Sequence, residues 1–131
     1  MSNPLINCNI RLEQLAENLS SIGAEVERFS CNEIHISIND SHYIISILSA
    51  PFVSVIKRIS VTGARPNDVQ KSVKAINNLS ICVKADYDMV SSTVTLSTTV
   101  FASTSTALMS AIYPYLSVIE NAEAVMTGMI I

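Results

Sequence analysis

His35 and His42 are the residues of this chain whose type and spacing come nearest to a chemical site. They are the only two histidines, and they flank the polar pair Asn39-Asp40. If this pair forms a two-residue hairpin turn, Ser37 lies opposite His42. Both imidazoles and the Ser37 hydroxyl then project from one face of the hairpin, where the two rings are close enough on a diagonal to share a metal.

Metal binding is nevertheless not expected at this pair. A stable zinc site needs three or four ligands, and the sequence places no cysteine or third histidine beside the two rings. Glu33 or Asp40 could complete only a weak site. We therefore predict no metal and no cofactor, and instead a face that contacts a partner or a second copy of the chain, formed by His35, Ser37, His42, Ile44 and Leu48.

Two other sets of polar residues resemble functional motifs. Asp86 and Asp88 lie two apart on one face of a strand, as paired acids or a cation site would. A calcium loop needs further ligands at set spacings and a glycine, and none follow, so a polar turn is the preferred interpretation. No serine stands in a GxSxG context. The sequence therefore predicts no catalytic residues and no enzymatic activity.

The composition limits the classes of partner. Only 15% of the 131 residues are charged and 49% are hydrophobic, with a formal net charge of -3. A surface with so few charges favours association with other proteins. No basic cluster exceeds the pair Lys57-Arg58, so the electrostatic footprint of a nucleic-acid-binding protein is missing. We expect no nucleic-acid partner.

The cysteines and the apolar segments indicate the compartment. Cys8, Cys31 and Cys82 are odd in number and in no metal-ligand spacing, as expected for reduced thiols that are buried or half-buried. A signal peptide has a basic region before an apolar stretch, and the N-terminus of this chain has no such region. The most apolar window, residues 43–56, is too short to span a membrane. These features predict a cytoplasmic protein without a membrane anchor.

Hydrophobic periodicity predicts the elements that position these residues. Apolar residues at steps of three and four before Gly23 predict a first helix, and period-two alternation over residues 24–62 predicts three or four strands. In the hairpin, Ile34, Ile36, Ile38 and Tyr43 should face the core. A short second helix should follow Pro66 and stop at Asn77-Asn78.

The remaining residues complete one α+β domain. Residues 81–101 predict a second hairpin, and residues 102–126 predict a helix that is capped by hydroxyls at 103–106 and kinked at Pro114. The predicted order is α-β-β-β(-β)-α-β-β-α, with an antiparallel sheet of five to six strands and helices on one face. The domain spans residues 1–131, of which 1–9 form a polar leader.

Three segments of this chain resemble the YbjN family, which shares the type III secretion chaperone-like fold. They are LEQLAENLSSIGAEVERF, VKAINNLSICVKADYD and STVTLSTTVF, and the resemblance covers about residues 12–126. The family often has an aromatic residue, commonly tryptophan, just before an asparagine that matches Asn77, whereas this chain has Ile76 there and no tryptophan at all. The resemblance implies a non-enzymatic cytoplasmic protein, often dimeric, that acts in regulation or in chaperone-like binding of polypeptides, and no catalytic residues are carried over with it.

The functional expectation is thus a protein-interaction module that binds a polypeptide partner. The alternative is a small-ligand-binding or enzyme domain that uses the sheet face around His35 and His42. A homodimer is also predicted, because the apolar residues of that face need cover, with the face or a sheet edge packed against its own copy.

Overall fold

The computed structural model describes residues 12–30, 32–49, 52–79, 82–102 and 104–130, so the predicted leader at 1–9 lies outside it. Three helices and six strands occur in these residues. The helices are α1 (Leu12–Ser21), α2 (Pro66–Leu79) and α3 (Ser105–Ile130), and the strands are β1 (Glu25–Ser30), β2 (Glu33–Ile38), β3 (Ser41–Ser49), β4 (Phe52–Ser60), β5 (Lys84–Asp88) and β6 (Thr93–Phe101).

The six strands form one antiparallel sheet in the order β1-β2-β3-β4-β6-β5. The α+β class and the predicted order of elements are therefore confirmed, with six strands. Strands β1 to β4 form a meander, because each strand pairs antiparallel with the next strand along the chain. After α2, the chain returns so that β6 pairs with β4 and β5 lies at the edge.

The turn between β2 and β3 sets the register of the predicted site. Asn39 and Asp40 have φ angles of 51° and 66°, the left-handed conformation that a type I′ turn requires at both central positions. Asn and Asp tolerate this conformation better than other residues with a side chain. Ser37 pairs with His42 and His35 pairs with Ile44, as the sequence predicts.

The core lies between one face of the sheet and the three helices. Inward strand residues such as Ile34, Ile45 and Leu96 are fully buried, as are Leu108, Ile112 and Ile119 on the inner stripe of α3. Tyr43 and Ile36 are buried with them, while Ile38 packs against the core only in part. The predicted division of the β2–β3 hairpin into a core face and an outer face is correct.

Helix α2 ends at Leu79, one residue beyond Asn77-Asn78, where the sequence predicts it to stop. The Asn77 side chain bonds to the sheet rather than to the end of its own helix. Its Nδ2 donates to the Ala85 carbonyl at 2.9 Å, and the Ala85 N–H donates to its Oδ1 at 2.8 Å. Asn77 therefore satisfies the outward backbone groups of the edge strand β5 in place of another strand.

The last helix begins with a hydroxyl cap and is longer than predicted. Thr104 accepts a hydrogen bond from the Ala107 N–H at 3.0 Å, which satisfies a donor of the first turn. The helix continues through Pro114 to Ile130 rather than ending at residue 126. Among the described helices, none has both the length and the hydropathy to cross a membrane.

Candidate functional site

The sheet face opposite the helices, here called the open face, holds the predicted site. Its residues follow from the pairing register, because directly paired residues point to the same side. One row across the strands contains Glu25, Ser37 and His42, and the next contains Glu27, His35, Ile44 and Ile56. No described helix covers this face, since all three helices pack against the core side.

The structure brings together four of the five residues predicted for this face. His35, Ser37, His42 and Ile44 line a depression of about 610 Å³. The side chain of Leu48 lies outside the described part of the chain. Arg58, which sequence reasoning did not assign to the site, lines the rim of the depression.

Each histidine has a polar neighbour on its own hairpin. Ser37 Oγ lies 2.6 Å from His42 Nδ1, and Glu33 Oε1 lies 2.7 Å from His35 Nε2. The second contact carries an ion pair only when the His35 ring is protonated. Both rings line the depression.

The contacts of the histidines can be compared with those of catalytic and metal sites. A serine and a histidine can act as nucleophile and base when a third group orients the base. Within the described ranges, Ser37 is the sole hydrogen-bond partner of the His42 ring. The described residues also contain no group of three or more His, Cys, Asp or Glu side chains placed to hold a metal ion.

A second polar group, which sequence reasoning missed, lies on the covered face of the sheet. We name it the Lys57 cluster: Ser41, Tyr43, Lys57, Glu120 and Glu123. Lys57 Nζ donates to both Glu120 oxygens at 3.0 Å, to Ser41 Oγ at 3.1 Å and to Glu123 Oε1. The Lys57 side chain is only 11% exposed, so this one ammonium is shared between two carboxylates beneath α3.

The cluster shifts the pKa of three of its members, Glu120, Lys57 and Tyr43. Burial acts to raise the pKa of Glu120, but hydrogen bonds from Tyr43, Ser41 and Lys57 outweigh burial and lower it to about 2. Burial acts to lower the pKa of Lys57, yet its bonds to Glu123 and Glu120 raise it. Burial and the bond to Glu120 raise the pKa of Tyr43. All of these groups keep their charge states at neutral pH.

The sequence contains a signal for this cluster that the prediction did not use. Lys57 occupies an inward position of β4, in alternation with Val53 and Val55, where an apolar residue would be expected. Glu120 and Glu123 are spaced by three residues on α3, which places them on one side of the helix. An inward lysine requires a buried carboxylate partner.

Two other candidate groups remain apart from this chemistry. Asp86 and Asp88 lie on the edge strand β5, and Asp88 Oδ1 accepts a hydrogen bond from the Val90 N–H at 3.0 Å, which supports the polar-turn interpretation. The expectation of a buried or half-buried thiol is wrong for Cys82, which is exposed because it precedes the edge strand. Cys8 and Cys31 lie outside the described residues.

Comparisons with known proteins identify a related fold. No family model matches the chain, and no curated protein matches it. The crystal structure of YbjN from E. coli superimposes with a TM-score of 0.60 over 86% of this chain and 91% of that chain, at 20% sequence identity. The predicted likeness to YbjN is therefore confirmed for the fold.

Proposed function

We propose that this chain is a non-enzymatic protein-interaction module that binds a polypeptide through its open face. The observation that carries the proposal is a six-stranded sheet with one face buried under three helices and the other left uncovered by the described chain. Polar hydrogen-bonding groups and partly buried apolar residues alternate on that face. Such a mixture is typical of surfaces that exchange water for a protein partner.

An aromatic pair extends the open face away from the histidines. Phe52 and Phe101 are directly paired on β4 and β6, and their rings make an edge-to-face contact with centroids 5.7 Å apart. They remain 47% and 69% exposed, respectively. Exposed aromatic side chains supply apolar contact area of the kind on which protein recognition depends.

The fold neighbour supports the same class of function without defining a partner. YbjN is described as a candidate transcription regulator. We extend to this chain only the general role in protein interaction. A cytoplasmic location belongs to the same proposal, and so does a homodimer whose interface leaves the open face free for the polypeptide partner.

Site-specific photo-crosslinking tests the proposed function. A photoreactive amino acid at Ile44 on the open face should capture a discrete polypeptide in the producing cells, identified by mass spectrometry of the adduct. The matched control carries the same amino acid at Lys71, which is exposed on α2. Absence of adducts at Ile44, or equal adducts at both positions, would contradict the proposal. A small molecule retained in native mass spectrometry would favour the alternative, a ligand-binding domain.

A further inference from the structure

The charges of the open face are unevenly distributed. Its described strand residues include five carboxylates and two basic side chains, an excess of three negative charges: Glu25, Glu27, Glu33, Asp86 and Asp88 against Arg58 and Lys84. This excess equals the formal net charge of the whole chain, which is -3. The charges of all other residues in the sequence therefore cancel.

The carboxylates nearest to the depression are available to a partner. Glu25 and Glu27 line one wall, and Arg58 lines the opposite rim. Within the described chain, none of these three side chains has an ion-pair or hydrogen-bond partner. The wall and the rim are three strand spacings apart, about 14 Å. Ile44 lines the depression between them, and Ile56, its direct partner on β4, extends the apolar surface beside it.

We infer that the open face binds a basic segment of a partner polypeptide. Lys or Arg side chains of that segment pair with Glu25 and Glu27, and an apolar side chain of the segment rests on Ile44 and Ile56. This inference rests on the proposed function and specifies the chemistry of the partner. Charge complementarity of this kind determines the choice of partner and the rate of association more than the affinity.

The same charges argue against two other occupants of the face. A second copy of the chain packed face to face would set one negative surface against another. Charged side chains on the edge strand β1 also oppose pairing of that edge with its own copy. A nucleic acid, whose phosphates are negative, would be repelled as well.

A titration of the isotope-labelled full chain, followed by amide and imidazole NMR signals, tests the inference. The probes are three short peptides of equal length in which Leu alternates with Lys, with Glu or with Ser. The Lys peptide should shift the amides of residues 25–27, 35–37 and 42–44 and bind more tightly than the Ser peptide, while the Glu peptide should leave these signals unchanged. Added salt should weaken the binding, because the pairs are exposed.

Two double variants separate a specific site from general attraction to an acidic protein. Glu25→Gln with Glu27→Gln should weaken binding of the Lys peptide roughly fivefold. Glu17→Gln with Asp68→Asn changes the net charge equally on helices α1 and α2, away from this face, and should have little effect.

Three outcomes would overturn the inference: equal losses in both double variants, a preference for the Glu peptide, or shifts of the same amides with protein concentration alone, which would identify a second copy as the occupant. Adducts at Ile44 without any preference for the Lys peptide would leave the proposed function standing while removing this inference.

Discussion

The two faces of the sheet differ in the burial and the pairing of their cationic residues. On the covered face, Lys57 is fully paired with Glu120 and Glu123 beneath α3. On the open face, the neighbouring residue Arg58 is exposed and has no partner within the described chain. These two cations are adjacent in sequence, yet they point to opposite sides because successive strand residues alternate.

This difference shows that the role of a charged strand residue depends on which face of the sheet its side chain lies on. A buried cation must be paired, since an isolated charge out of water costs more than most single interactions contribute. The Lys57 cluster therefore serves stability, by joining β3, β4 and α3. An exposed charge contributes little to stability and remains available for recognition.

The largest expected effect comes from breaking the covered cluster. Lys57→Met leaves the carboxylates of Glu120 and Glu123 close together without a counterion, and should lower the free energy of unfolding by about 3 kcal/mol. The matched control, Arg58→Met, should change it by less than about 0.5 kcal/mol. Urea unfolding followed by circular dichroism measures both. If both variants lose a similar free energy of unfolding, the pairing of Lys57 on the covered face contributes no more to stability than the exposed Arg58 does.

A smaller loss is expected at the edge of the sheet. Asn77→Ala removes both hydrogen bonds to the Ala85 backbone and should cost about 1–2 kcal/mol in the free energy of unfolding. Asn78→Ala changes the adjacent exposed residue of the same helix turn and serves as the control. The Asn77 variant should also exchange the Ala85 amide hydrogen faster. Unchanged exchange would show that Asn77 does not protect this edge.

The pH dependence of stability should show the contribution of the Glu120 carboxylate. Because the pKa of this carboxyl is lowered to about 2 in the folded chain, its contribution is present above its ordinary value of 4.5 and is lost as the pH falls toward 2. Partial exposure of the carboxyl screens the effect. Glu120→Gln should therefore flatten the decline in melting temperature over this interval. If the melting temperature of the variant declines with the same slope as that of the unmodified chain, Glu120 is not the source of the decline.

The smallest expected effect concerns zinc binding by the two histidines of the open face. The two histidines lack a third and a fourth ligand, so calorimetric titration of zinc should show no stoichiometric binding tighter than micromolar. Tight binding that is lost in His35→Ala would show that recognition by this face includes a metal.

Patterns within single elements made most of the fold predictable. Alternation in β2 and β3, together with Asn39 and Asp40 at the turn, predicted which side chains share the open face, because a two-residue turn leaves one register. The apolar stripe of α3 likewise predicted its buried side. The contact of Asn77 with β5 could not be predicted, because it depends on how α2 packs against the sheet edge.

The amino-acid sequence by itself determined the strands, the helices and the hairpin register, since each depends on interactions between residues near one another in the chain. Only the tertiary structure decided that Lys57 meets Glu120 and Glu123, which lie 63 and 66 residues away. That contact depends on where α3 crosses the sheet, and the crossing is set by the packing of the whole core rather than by any local pattern.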